Sequence, residues 1–399
     1  MAEAMRRRPG GEHEDRGFLC SVQGYRWLPS LLPLLLFVLL LPFQLGAQES
    51  PAGFDAVAAA ATSAREQNDP SRAIDLYRQA VQLNPKWPDG WWFLGLLEYG
   101  LDSYAEARDA LTHYVDLTPN AGPALALRGL CEFETGEYAQ SLTDIEHGLA
   151  LGAANQPRNA QILYYHDALL LAHAGRFEGA LEVYAKLAHD EQPNPELLTS
   201  IGLAGLRNAA LPKEIIAANQ TDPYLAAGNA AFLFMSGHES EAQAAFQDLF
   251  QRFPTAANAH LLYGYLLFAK DPDLAILEFK HELEITPANG TAHALLAWAY
   301  LLGDNPGGAL PHAEKAVEEE PAVATAQLVL GKSQVDTGDV KGGTAHLEQA
   351  LKLEPDNLEI HLALAKAYSK AGRKEDSVRE RRECLLRSGG GEAAQVARP

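Results

Sequence analysis

Two short stretches of the sequence resemble catalytic motifs, and both lack the partner residue that the chemistry requires. His281-Glu282 begins the H-E-x-x-H pattern of zinc proteases, but Ile285 stands where the second histidine belongs. Asp336-Thr337-Gly338 matches the triplet of aspartic proteases, which need two such carboxylates, and no second copy is present. Phosphate-binding glycine loops, nucleophile elbows and paired-cysteine zinc spacings are also missing. The sequence therefore predicts a protein that is not an enzyme and has no cofactor.

The thirteen histidines are metal-ligating side chains, but their spacing favours a structural role. His260, His293 and His361 follow one another at intervals of 33 and 68 residues. A packing position in a repeated unit produces such intervals, whereas the ligands of one metal ion must converge on a point. We therefore predict no metal site.

The composition excludes several classes of protein. Of the 399 residues, 47% are apolar, which is more than a disordered chain contains. The three cysteines are too few for a disulfide scaffold, and Cys131 and Cys384 are expected to be unpaired, buried thiols. The net charge of -20 argues against nucleic-acid binding, because such proteins need positive charge to displace counterions from phosphates. No nucleic-acid partner is predicted.

Residues 1–47 have the features of an export signal. Five arginines precede an apolar run, Leu31 to Phe43, which is shorter than a membrane-spanning helix and suits a signal-peptide core. Cleavage is predicted after Ala47, with residues 48–53 as a short linker. The alternative is an anchor of residues 28–45, which would then be the only part of the chain that contacts the membrane. In both cases the remainder is exported, as a periplasmic or secreted protein.

Prolines divide the rest of the chain into units. They follow short apolar helical patterns, and several are separated by 33 or 34 residues: Pro85, Pro119, Pro193, Pro254, Pro287, Pro321 and Pro355. Proline cannot continue a helix, because it lacks the N–H and clashes with the carbonyl four residues back. The spacing therefore predicts a helical repeat of about 34 residues.

Small and large residues recur within each unit in the same order. Alanines suited to close helix contact are followed four residues later by a large apolar residue, as in Ala107 with Leu111 and Ala275 with Phe279. A turn residue lies between the two helices of a unit, and it is Gly136, Gly175, Gly237, Asp271, Gly338 or Gly372. Glycine suits such a turn because it adopts positive φ without strain. Each unit is thus predicted to be a tightly packed helix pair.

These residues resemble the tetratricopeptide repeat family, whose unit has the pattern W-x2-L-G-x2-Y followed by Ala, an aromatic residue, Ala and Pro. The most similar unit contains Trp91, Leu94, Gly95, Ala107, Leu111, Tyr114 and Pro119. The resemblance implies an all-α fold, a right-handed superhelical solenoid of antiparallel helix pairs. It covers residues 54–387 in nine or ten units, which start near residues 54, 88, 122, 161, 195, 223, 257, 290, 324 and 358.

The domain organisation follows from this array. N-terminal repeats are predicted over 54–222, C-terminal repeats with a capping helix over 223–387, and a flexible tail over 388–399. Two units depart from the pattern. The unit from 122 is about five residues too long, and the unit at 195–222 is degenerate, with room only for a short second helix at 213–218. We expect a kink or break in the array between about 190 and 223.

In this family the first helix of each unit lines the concave surface, and the resemblance implies which positions here would form a binding groove. The predicted groove is aromatic along most of its length and basic at its C-terminal end. Its residues are Trp92, Leu96, Tyr99, Phe133, Tyr165, Tyr224, Phe234, Tyr265, Phe268, Trp298, Lys332, Lys366 and Lys370. The alternative is that several of these rings pack against neighbouring helices, since a stripe at helical spacing also describes a core.

Two functions agree with these features. The first is an exported, non-enzymatic protein-interaction scaffold that binds a polypeptide segment in the groove. The second is a carbohydrate- or small-ligand-binding protein of the cell envelope that uses the same rings as stacking platforms. The identity of the protein or peptide partner does not follow from the sequence.

Overall fold

The computed structural model describes residues 53–155, 157–189 and 192–387. Within these ranges it contains twenty α-helices, one short 3-10 turn and no β-strand, so the predicted all-α class is confirmed. No helix in these ranges is long and apolar enough to cross a membrane. The predicted signal peptide at 1–47, the alternative anchor at 28–45 and the tail at 388–399 lie outside the described residues.

The chain divides into two compact units, residues 1–187 and 188–399. The first unit contains four helix pairs, and loops of only a few residues make the partners in each pair antiparallel. They are α1 (Phe54–Glu66) with α2 (Pro70–Leu83), α3 (Pro88–Tyr99) with α4 (Tyr104–Leu117), α5 (Gly122–Thr135) with α6 (Tyr138–Ala150), and α7 (Pro157–His173) with α8 (Phe177–Ala188). A 3-10 turn, Ala153–Asn155, follows α6.

The second unit contains six helix pairs. They are α9 (Pro195–Gly205) with α10 (Pro212–Ala217), α11 (Tyr224–Met235) with α12 (Glu239–Arg252), α13 (Ala259–Leu267) with α14 (Pro272–Ile285), α15 (Gly290–Leu302) with α16 (Pro306–Glu319), α17 (Ala324–Thr337) with α18 (Val340–Leu353), and α19 (Leu358–Lys370) with α20 (Lys374–Arg387).

The ten first helices begin where the repeat predicts, with one exception. Nine begin within two residues of the predicted starts, and the fourth begins at Pro157 rather than near residue 161. The difference arises because the extra residues of the preceding unit form the 3-10 turn after α6, and Pro157 then opens α7. Proline suits the first position of a helix, where its missing N–H has no partner to lose.

Small residues bring the two helices of each pair together, as predicted. Ala107, Ala242, Ala275 and Ala309 are completely buried. The large residues that follow them at helical spacing, such as Phe246 and Phe279, are also completely buried. In the pair α13–α14, a Cβ placed on Gly264 would lie 2.6 Å from a ring carbon of Phe279. In pairs such as α13–α14, the core is therefore a ring that fills the gap left by glycine and alanine.

The six predicted turn residues all lie between the two helices of a pair, but the glycines and Asp271 differ in conformation. Five glycines adopt positive φ, between 76° and 107°: Gly136, Gly175, Gly237, Gly338 and Gly372. Asp271 has a φ of -139° and instead caps α14, with its side chain accepting a hydrogen bond from the amide of Leu274. An aspartate at this place favours capping, because its carboxylate satisfies a free N–H of the first helical turn.

A recurring hydrogen bond ties four of the prolines between repeats to the helix that follows. The fourth residue of the first helix donates to the proline carbonyl six residues earlier, from Trp91 to Pro85 (2.9 Å), His293 to Pro287 (3.1 Å), Gln327 to Pro321 (2.8 Å) and His361 to Pro355 (2.9 Å). In the histidines Nε2 is the donor, because a carbonyl can only accept. For His293 and His361, the packing role predicted from their spacing is confirmed.

The same histidines and glutamine reach the second helix of their own pair. Nδ1 of His293 contacts Nδ1 of His312 at 3.1 Å, and Nδ1 of His361 contacts Glu380 at 2.8 Å. Gln327 is joined to His346 in the same way, at 2.7 Å. One side chain therefore links a proline loop, a first helix and a second helix.

The degenerate repeat has a distinct geometry. Its second helix, α10, has only six residues, which confirms the short helix predicted at 213–218. The first helices α9 and α11 consequently meet backbone to backbone: a Cβ on Gly202 would overlap the carbonyl of Tyr224, and one on Gly228 would overlap the carbonyl of Leu198. This contact joins residues 195–222 to the helices that follow. The boundary between compact units accordingly lies after Leu187, whereas the sequence placed the division of the array after residue 222.

Gly202→Ala is expected to destabilise the second unit by about 3 kcal/mol or more, because the added methyl group meets backbone atoms that cannot move without separating α9 from α11. The matched control is Gly307→Ala in α16, where nothing lies within 4 Å of the added Cβ. It should leave stability unchanged or raise it by up to about 1 kcal/mol. Urea unfolding followed by circular dichroism measures both. Equal stability of the two variants would contradict the close contact.

Candidate functional site

Several neighbouring first helices of the second unit lie side by side. Helix α11 contacts α13, α15 contacts α17, and α17 contacts α19. Side chains on the outward face of these helices therefore become neighbours although they are about one repeat apart in sequence. This is the arrangement that the predicted groove requires.

In the first unit, the predicted groove residues on α3 are partly exposed but also packed. Trp92 lies against Tyr114, with ring centroids 5.3 Å apart, and borders a small core cluster around Val115. Tyr99 lies edge-on to Tyr104 at 5.6 Å, and burial raises the pKa of its hydroxyl to about 12. Leu96 is partly exposed. The exposed parts of these side chains are accessible to a partner, while their buried parts stabilise the pair α3–α4.

Phe133 does not belong to an accessible surface. It is only 8% exposed and packs against Tyr138 and His166, with ring centroids 5.5 and 4.8 Å away. The prediction that it faces the groove is wrong, because the ring fills the space between α5, α6 and α7. Tyr165 is partly exposed and lies edge-on to His166 at 5.7 Å.

In the second unit, Tyr224 and Phe234 on α11 are partly exposed. The hydroxyl of Tyr224 accepts a hydrogen bond from the amide of Asn208 at 2.7 Å. The ammonium group of Lys270 lies 5.9 Å from the ring centroid of Phe234.

Tyr265 and Phe268 on α13 are also partly exposed. Phe268 leans on the buried ring of Phe279, with centroids 6.0 Å apart. The second unit therefore presents several anchored but accessible rings on consecutive first helices.

Trp298 and Lys332 meet across α15 and α17. The ammonium group of Lys332 lies 4.8 Å above the Trp298 ring, a cation–π contact, and also pairs with the carboxylate of Glu359 on α19. Trp298 packs against the core clusters on both sides of it. Its ring is thus fixed in orientation while remaining partly exposed.

Lys366 and Lys370 on α19 share one carboxylate. Both ammonium groups lie about 3 Å from Asp336 of α17, and Lys370 also donates to the carbonyl of Val335 at 3.0 Å. Burial would raise the pKa of Asp336, but its hydrogen bonds to the two lysines and their charges outweigh burial and lower that pKa. The lysines predicted to form the basic end of the groove are therefore paired with carboxylates of the chain itself.

These side chains form what we call the C-terminal patch. It consists of one aromatic residue, three cations and two carboxylates: Trp298, Lys332, Asp336, Glu359, Lys366 and Lys370. Asp336 is not among the predicted groove residues, because in the sequence it stands out only as part of a protease-like triplet. The available signal was its position four residues after Lys332, which places both on one helix face.

Comparison with family models supports the repeat. Residues 58–122 and residues 334–380 each match a model described as tetratricopeptide repeat. One matched segment lies in each compact unit. The second match includes Asp336, Glu359, Lys366 and Lys370 of the C-terminal patch. Among curated proteins, none matches the sequence.

Solved structures of low identity show partial similarity. MamA from Desulfovibrio magneticus RS-1 is 18% identical with a TM-score of 0.37, covering 41% of this chain and 93% of its own. YrrB, described as a TPR protein with an unusual peptide-binding site, is 18% identical with a TM-score of 0.37, covering 46% and 96%. Yeast Tom70 is 12% identical with a TM-score of 0.32, covering 86% and 90%.

Asp336→Asn is expected to lower the free energy of unfolding at pH 7 by less than about 1 kcal/mol, because Lys366 and Lys370 are 56% and 42% exposed and solvent screens them. A carboxyl group with a lowered pKa stabilises the fold above its unfolded pKa, near 4, and this contribution is lost as the pH falls through the folded pKa. The difference between wild type and variant in urea unfolding should therefore shrink below about pH 4.

Asp356→Asn is the control for this measurement, since the Asp356 carboxylate is 88% exposed. It should change stability little at any pH. A difference between wild type and Asp336→Asn that is the same at pH 3 and pH 7 would contradict the assigned role of Asp336.

Proposed function

We propose that the protein is an exported, non-enzymatic interaction scaffold that binds a polypeptide segment along the first helices of its second unit. The observation that supports this most directly is the C-terminal patch, which spans three consecutive first helices. It combines a fixed, partly exposed tryptophan on α15 with charged groups on α17 and α19. The tetratricopeptide repeat matches in both units support the same class of function. The described residues supply no catalytic arrangement on this surface on which a reaction could be built.

The charges suggest how a segment would be held. Asp336 brings one negative charge to the two positive charges of Lys366 and Lys370, so an acidic group of a partner can join these lysines or exchange with that carboxylate. Exposed ion pairs contribute little to stability, so the exchange costs little. An apolar side chain of the same segment would lie beside Trp298 or Tyr265. A segment with one apolar and one acidic residue fits both conditions.

The surface is largely formed before a partner arrives. Trp298 is fixed between two core clusters, and Phe268 rests on a buried ring. Side chains that are already ordered lose little conformational entropy on binding, so more of the contact energy is available as affinity.

Carbohydrate binding by the same rings is the second candidate. Stacking of a sugar ring needs an open aromatic face, and the ammonium group of Lys332 covers one face of Trp298. Lys332 would have to leave both Trp298 and Glu359 before a sugar could stack there. This contact favours the polypeptide over the sugar.

Export is proposed from the sequence alone. Residues 1–47 combine basic residues, a short apolar core and a small residue at Ala47. Cleavage there would release the repeats into the periplasm or the medium, whereas an uncleaved segment would anchor them through residues 28–45.

A photoreactive phenylalanine analogue at Tyr265 is expected to crosslink to a protein partner in the native cell envelope, because Tyr265 lies on the first-helix surface. The matched control places the same analogue at Leu277 of α14, which is 50% exposed on a second helix. Mass spectrometry of the crosslinked species identifies the partner. Equal crosslinking at both positions would contradict binding by the first helices. Glycan binding without any protein crosslink would favour the carbohydrate-binding function.

N-terminal sequencing of the mature chain is expected to begin at Gln48. Ala47→Leu should block this cleavage, because the processing site requires a small side chain, and should leave a longer, membrane-associated chain. A wild-type chain that retains residues 28–45 and fractionates with the membrane would instead support the anchor.

A further inference from the structure

Helix pair α13–α14 brings together three metal-ligating side chains outside the C-terminal patch. His260 lies on α13, and Glu278 and His281 lie three residues apart on α14. One ligand atom from each lies within 4.8 Å of the others. A search of the described residues for three histidine, cysteine or carboxylate side chains with ligand atoms this close together finds this group.

The group is both ordered and accessible. Nδ1 of His260 and a carboxylate oxygen of Glu278 are 2.6 Å apart, and the His260 ring stacks on Phe250 with centroids 3.8 Å apart. Glu278 is 8% exposed, whereas His281 lies at the surface, edge-on to His260 at 5.4 Å. Packing therefore holds His260 and Glu278 in place, and His281 lies at the surface, where an ion from solvent can reach it.

Equivalent positions in other repeats show what is particular to this pair. The link from a first helix to a second helix recurs at His293–His312, Gln327–His346 and His361–Glu380. Three residues after the second member of each link stand Lys315, Gln349 and Glu383. Lys315 is a cation, and Glu383 is paired with Arg387. The contact between the first and second helix therefore forms in other repeats without a histidine at the position equivalent to His281. That contact does not explain why His281 is there.

We propose that His260, Glu278 and His281 bind a divalent transition metal, with Zn²⁺ as the reference ion. Two imidazoles and one carboxylate are ligands that Zn²⁺ accepts, at about 2.0–2.2 Å from the metal. The ion takes the place of the hydrogen bond between His260 and Glu278, with the carboxylate ionised and the imidazole neutral, as metal ligands must be. The three protein ligands leave at least one coordination position for water or for a side chain of a bound partner.

This site differs from the one excluded by the sequence. The incomplete H-E-x-x-H pattern seeks both histidines on one helix, and Ile285 occupies the second place. The structure supplies the second histidine from the preceding helix instead, and the carboxylate comes from three residues before His281 rather than one residue after it.

The test is titration of the chelator-treated, full-length chain with Zn²⁺ by calorimetry, and with Co²⁺ by visible spectroscopy. One ion per chain is expected, with a Co²⁺ absorption typical of four or five ligands. His281→Gln removes an exposed ligand and leaves the hydrogen bond between His260 and Glu278 in place, so the variant should fold normally. It should reduce Zn²⁺ affinity at least about tenfold.

The matched control is His312→Gln, which removes a histidine from the equivalent link of the next repeat. It should leave Zn²⁺ affinity unchanged. The proposal is overturned if the wild type binds no Zn²⁺, if His281→Gln binds as tightly as the wild type, or if His312→Gln weakens binding as much as His281→Gln does. Circular dichroism of each variant verifies that the helices are intact.

Discussion

The carbonyl of a proline between two repeats is the group on which the register of the array depends. In most repeats a proline lies in the loop after the second helix, and the carbonyl of that proline needs a donor. The fourth residue of the next first helix supplies that donor in several repeats, whether it is tryptophan, glutamine or histidine. The same side chain often continues to the second helix of its pair, as His361 does to Glu380. A loop that terminates one repeat is thereby fixed to both helices of the next.

This bond leaves the remaining face of each first helix free for another role. Glycine and alanine residues form the contact between the two helices of a pair, and the fourth residue of the first helix bonds to the proline loop. The residues that remain lie beside those of neighbouring first helices. In the second unit they include Trp298, Lys332 and Asp336, whose mutual contacts order the surface before any partner binds.

The sequence predicted the elements better than the contacts between their side chains. Helix starts followed from the proline interval, and the buried alanines followed from helical spacing, because both depend on local chemistry. Phe133 was misplaced because the pattern gives its position on α5 but not the space that Tyr138 and His166 leave for its ring. The pairing of Lys370 with Asp336 spans 34 residues, and a charge pattern cannot say which of several carboxylates at that distance will be the partner.

Binding functions in such an array arise where one repeat departs from the others. A side chain that recurs at one position in several repeats serves the fold, as the donors to the proline carbonyls do. His281 stands where other repeats have Lys315, Gln349 or Glu383, and it is the departure that converts a structural hydrogen bond into three converging ligands. Asp336 likewise bridges two lysines that would otherwise repel each other across one turn of α19. The regular positions hold the helices in register, and the irregular ones determine what the surface recognises.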